Sequence, residues 1–117
     1  MADKNEVEKF LADFKIKMKI FGVVFRDDRN KNMDTTTALE ISVRTKIKIL
    51  EDLLVEDYSE GPLKDTLNNI ANMWVFGKIV KKKEIYIKIS MGFPNNPTIC
   101  ISFHFSEHPI NYKFKQR

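Results

Sequence analysis

Glu84-Ile85-Tyr86-Ile87-Lys88-Ile89-Ser90-Met91 alternates without a fault. A period of two turns Ile85, Ile87, Ile89 and Met91 to one side of a strand, and Glu84, Tyr86, Lys88 and Ser90 to the other. Downstream, residues 98–105 repeat the pattern. Ile99, Ile101 and Phe103 are expected on a covered face, with Cys100, Ser102 and His104 on the open one. Between them Phe93-Pro94-Asn95-Asn96-Pro97 cannot continue a ladder and reads as a loop. The two runs therefore form an antiparallel hairpin, preceded by a third strand over 73–80. Lys81-Lys82-Lys83 is the tight basic turn joining 73–80 to 84–91. In-register pairing sets His104 opposite Tyr86 and Ser102 opposite Lys88. Opposed Cβ atoms then stand about 4.5–5.5 Å apart on the open face.

Upstream, helical spacing takes over. Val7, Phe10, Leu11, Phe14, Met18 and Phe21 form one stripe, predicting a helix over about 4–20 with Asp3 or Asn5 as cap and Gly22 as stop. Phe14, Ile16, Met18 and Ile20 also alternate with lysines, a competing strand reading. Residues 23–25 read as a short strand, 27–34 as a loop and 35–41 as a short helix. Ser42 caps a second helix over 43–54, carrying Val43, Ile47, Leu50 and Leu54 on one face. Gly61-Pro62 reads as a break, 63–72 as loop with one helical turn. Residues 107–114 could add a short edge segment. Helices before strands give an α+β fold, helices packed on one face of a small antiparallel sheet, as a single domain over 1–117.

The 117 residues suffice for one core, 43% of them apolar. A single cysteine, Cys100, excludes an internal disulfide and a cysteine metal cluster. The charged start lacks a signal-peptide pattern, and no apolar run approaches the roughly 18 residues of a membrane span. A soluble cytoplasmic protein without membrane partner is expected. The formal net charge is +4. From residue 73 onward eight lysines and arginines face two glutamates, whereas residues 51–65 hold six acids and one lysine. A basic sheet region suits an anionic partner such as RNA, DNA or an acidic protein segment, and is equally an ordinary solvated surface.

Phosphate-loop, dinucleotide and metal-ligand spacings are missing from the sequence, so neither cofactor nor metal is expected. His104 and His108 are separated by four, but no helix joins them. What remains is Tyr86, Lys88, Ser102 and His104 on one face. RNA cleavage without metal needs a base for the 2′-hydroxyl, an acid for the leaving 5′-oxygen and a cation for the phosphoryl charge. Imidazole suits the proton transfers near neutral pH and lysine the charge. The same residues read as ordinary packing and solvated neighbours: a strand-end histidine at the surface, and a lysine beside Glu84.

Glu56-Asp57-Tyr58-Ser59, Met73-Trp74-Val75-Phe76-Gly77, Glu84–Ile89 and Ile101-Ser102-Phe103-His104 follow one another in an order that resembles the MqsR-type toxins of bacterial type II toxin–antitoxin systems. The resemblance covers about residues 36–105, and is sharpest in Tyr86-Ile87-Lys88-Ile89 and Ser102-Phe103-His104. It implies a RelE-like ribonuclease fold and an mRNA interferase that cuts RNA without metal and is silenced by a cognate antitoxin. Tyr86 and Lys88 match the tyrosine and lysine of the family strand; His104 stands where the family toxin has a lysine. Val75 replaces a polar residue, and Ser59 or Glu60 a lysine. The implied catalytic residues are His104, Tyr86 and Lys88; Arg26, Arg29 and the turn Lys81, Lys82 and Lys83 are candidate phosphate contacts by their charge, with Tyr58 and Ser102 as further RNA contacts. A non-catalytic RNA- or protein-binding module of the same fold is the alternative.

Overall fold

The computed structural model describes residues 2–26, 41–66 and 70–115. Its first element, α1 (Lys4–Phe21), follows from a complete capping box: Asp3 accepts from the Glu6 amide at 2.8 Å, and the Glu6 carboxylate accepts from the Asp3 amide. The helical stripe wins over the strand alternation because Val7, Phe10, Leu11, Phe14 and Met18 are all buried. Phe21, expected in that stripe, is 40% exposed. The alternating lysines find another use. Lys15 donates to the Leu53 carbonyl at 2.6 Å and Lys17 to that of Phe93 at 2.7 Å, so both tie neighbouring loops to the helix.

After α1 come β1 (Val23–Phe25), α2 (Val43–Glu51), a 3₁₀ turn (Val55–Asp57), β2 (Tyr58–Leu63), β3 (Met73–Val80), β4 (Lys83–Ser90) and β5 (Thr98–Phe105). The five strands form one sheet in the order β1-β5-β4-β3-β2. With α1 against it, this is an α+β fold. The sheet is mixed, not antiparallel as expected: β1 runs parallel to β5, pairing Val24 with Ile99. The connection between them carries α2 and strands β2, β3 and β4, so it has ample length for a parallel pairing.

Three further expectations are corrected. Gly61-Pro62 does not break the chain; it lies inside β2, with a cis peptide. Proline survives there because β2 is the sheet edge and its outer side carries no ladder bond. The helix after Ser42 ends at Glu51, where the Asp52 amide returns to the Lys48 carbonyl, and Leu53 turns into the core. Residues 107–114 add no strand. The loop expected over 27–34 and the short helix expected over 35–41, but for Ile41, lie outside the described residues.

The most informative departure is in β5. Its pairing with β4 is in the expected register at Tyr86–His104 and Lys88–Ser102, then slips by one, with Ile89 opposite Cys100. Ile101 is the extra residue of a β-bulge. The slip reverses the faces of the first half of the strand. Thr98 and Cys100 are fully buried, while Ile99 and Ile101 are only partly covered. Period-two reading assigned Cys100 to the open face and Ile101 to the core, because a bulge leaves no mark on alternation.

The core lies between α1 and the sheet. Phe10 stacks on Trp74 with centroids 4.4 Å apart, and Phe14, Phe76, Ile85, Ile87, Ile89 and Phe103 close around it.

Candidate functional site

A cleft of about 710 Å³ opens on the face of the sheet opposite α1. Alternation on β4 supplies its floor, since burying Ile85, Ile87 and Ile89 turns Tyr86 and Lys88 outward. The paired strand adds Ser102 and His104, and the bulge adds Ile101, an apolar patch the sequence placed in the core. Arg26, just past β1, closes one side; its amide is held by the Cys100 carbonyl at 2.9 Å. Ser59, Glu60, Lys64 and Asp65, from β2 and the turn after it, close another. Residues 106–111 and Lys113 form the remaining wall.

At the centre the His104 imidazole lies flat on the Tyr86 ring, centroids 5.2 Å apart and planes 13° from parallel. The Lys88 ammonium sits 5.9 Å from the centroid of the same phenol. His104 Nδ1 is 2.8 Å from the Phe105 carbonyl oxygen. A carbonyl only accepts, so Nδ1 carries the hydrogen and Nε2 is the basic nitrogen of the neutral ring. Burial, and then the nearby Glu60 carboxylate, push the Tyr86 phenol above its ordinary pKa. It keeps its proton at neutral pH and can donate it, but cannot act there as a base.

Of the residues singled out in the sequence, Tyr86, Lys88, Ser102, His104 and Arg26 come together in the cleft. Tyr58 does not. It is fully buried in the core, edge-on to Phe76 and stacked with Phe114, so its ring is not presented to a ligand. The 3₁₀ turn before β2 turns it inward, and its hydroxyl donates to the Gly61 carbonyl. Neighbouring Asp57 is likewise structural, pairing with Lys78 at 2.9 Å and accepting from the Leu54 amide. Lys81, Lys82 and Lys83 sit at the exposed tip of the β3–β4 hairpin and do not line the cleft. Arg29 lies outside the described residues.

Glu60, Lys64, Asp65, His108 and Lys113 line the cleft as well, and the sequence assigns none of them to the site. Only the folding of β2 and of the C-terminal segment over the sheet brings them there, and neither has a periodic signal. Among the described residues, no group of three or more His, Cys, Asp or Glu is placed to hold a metal ion. No described helix is long and apolar enough to cross a membrane.

No protein-family model matches the chain, and neither a curated protein nor a solved structure does.

Proposed function

We propose that the chain is an endoribonuclease, a cytoplasmic mRNA-cleaving toxin of the MqsR type with a RelE-like fold, held silent by a cognate antitoxin. The observation that supports this reading is the His104–Tyr86 stack, with Lys88 and Ser102 beside it, at the floor of a cleft that also holds Arg26, Lys64 and Lys113. In the proposed reaction His104 Nε2 takes the proton of a ribose 2′-hydroxyl. The freed oxygen bonds to the adjacent phosphorus, the bond from phosphorus to the 5′-oxygen breaks, and the Tyr86 phenol protonates that oxygen. Lys88 offsets the extra phosphoryl charge. The products are a 2′,3′-cyclic phosphate and a 5′-hydroxyl, and no step draws on a metal or cofactor.

The test is incubation with a single-stranded RNA in EDTA, with product ends mapped. The parent chain should cut. His104→Ala should lower the rate by about 10²-fold or more while leaving RNA affinity nearly intact. Tyr86→Phe should cost a comparable factor if the hydroxyl donates the proton, and much less if the ring only stacks. Cleavage by His104→Ala at the parental rate would remove the imidazole from the mechanism.

Glu60, Asp65 and Glu107 in the same lining favour a second reading, a binding module without catalysis, since carboxylates repel a polyanion. RNA neither cut nor shifted in a gel, with a basic protein segment bound in its place, would select it. The antitoxin part is checked by expression: growth arrest by the chain alone, relieved by a co-expressed neighbouring reading frame.

A further inference from the structure

Glycine weakens a strand interior, yet Gly77 sits in the middle of β3, paired with Tyr86 on the cleft side of the sheet. The reason lies directly above it. A Cβ at this position would come within 2.5 Å of the Tyr112 hydroxyl and 2.6 Å of Ile110 Cδ1. The C-terminal segment is therefore a strap laid across the open face, and Gly77 is the flat place that lets it lie down.

Glu84 pins the strap at three points. Its carbonyl accepts from the Ser106 amide at 2.9 Å, one carboxylate oxygen accepts from the Ile110 amide at 3.0 Å, and the other from the Tyr112 hydroxyl at 2.8 Å. Further along, the Lys113 amide donates to the Tyr58 carbonyl at 3.2 Å, and Phe114 stacks on the Tyr58 ring. Burial and the Glu84 carboxylate push the Tyr112 phenol well above its ordinary range, so it keeps the proton it donates to Glu84 into the alkaline range. The pinned segment holds exposed Asn111 and Lys113 at the mouth of the cleft.

We infer that the strap is the part of the site that grips the substrate: Lys113 contacts a phosphate beside the scissile one, and Glu84 and Gly77 are positioning residues that hold it there. This rests on the ribonuclease reading of the cleft.

The test uses a single-stranded 2′-O-methyl oligonucleotide, which lacks the attacking hydroxyl and so reports binding alone. Lys113→Gln should weaken binding about fivefold at 0.1 M salt and lower the salt slope by roughly 0.7, the value of one single-strand phosphate contact. Glu84→Ala and Gly77→Ala should release the strap, seen as faster hydrogen exchange at the Ile110 amide, and weaken binding at least as much. Glu84→Gln, which keeps an acceptor for the Ile110 amide, should restore most of the affinity. With cleavable RNA the loss should appear in KM, with kcat nearly unchanged. Strap release with unaltered affinity, or an unaltered slope in Lys113→Gln, would overturn the inference and leave the ribonuclease reading standing. A parent chain that neither binds nor cuts RNA would sink both. Should Glu84→Ala fail to fold, the surface change Lys113→Gln still decides the matter.

Discussion

Cys100 shows how much a single position depends on its surroundings. The bulge at Ile101 turns its thiol into the core, where it donates to the Ser102 carbonyl at 3.4 Å, and burial pushes its pKa up to about 12. In an unfolded chain a cysteine titrates near 8.5. The folded pKa is the raised one, so the native state retains a proton that the unfolded state has lost. The contribution to stability is complete below about pH 8.5 and fades as pH rises toward 12. Alkylation by iodoacetamide at pH 8 should therefore be slow in the native protein and fast in urea. Stability measured by urea unfolding should fall above pH 9 with a slope of up to about 1.4 kcal/mol per pH unit from this group. In Cys100→Ala that part of the slope should vanish. Rapid labelling of the folded chain would place the thiol outside the core.

Among the elements, the β3–β4 hairpin is the least economical. Val80 pairs with Lys83, leaving Lys81 and Lys82 as a two-residue loop with φ of 51° and 68°. Positive φ at both positions is a type I′ turn, which favours Asn-Gly, and a side chain such as lysine is strained there. Replacing both as Lys81→Asn with Lys82→Gly should raise stability by about 1–2 kcal/mol in urea titration. If the turn also touches RNA outside the cleft, the same variant should flatten the salt dependence of RNA affinity. An unchanged slope would remove the turn from the proposed RNA footprint. The strap has the opposite character: no regular structure, but a fixed path set by Glu84, Gly77 and Tyr58.

The described residues form two layers, with α1 as most of the second. Burying the five-residue stripe of α1 against Trp74, Phe76 and the isoleucines of β4 supplies much of the folding free energy. Phe10→Ala removes the ring that stacks on Trp74 and should cost about 3–5 kcal/mol, a large share of the ~5–15 kcal/mol typical of a domain. The fluorescence of Trp74, the one tryptophan, should shift to the red even where the variant remains folded. An unperturbed spectrum with parental stability would show that α1 is not docked there.

Alternation over 84–91 determined β4, the outward pair Tyr86 and Lys88, and, with the loop at 93–97, the register that sets His104 across from Tyr86. The helical stripe and its cap determined α1. These are local patterns in which each side chain's direction follows from its neighbours in sequence. Three features needed the tertiary structure. The parallel pairing of β1 with β5 joins residues far apart along the chain. The bulge that buries Cys100 and turns Ile101 toward the cleft lies where β5 pairs with β4 along one edge and, over Thr98–Cys100, with β1 along the other. Half of the cleft, from Glu60 to Lys113, comes from an edge strand interrupted by proline and a strap without periodicity. Alternation and helical spacing report which way a side chain points within its own element; which elements meet across the open face is decided by contacts between distant segments, and those contacts leave no period in the sequence.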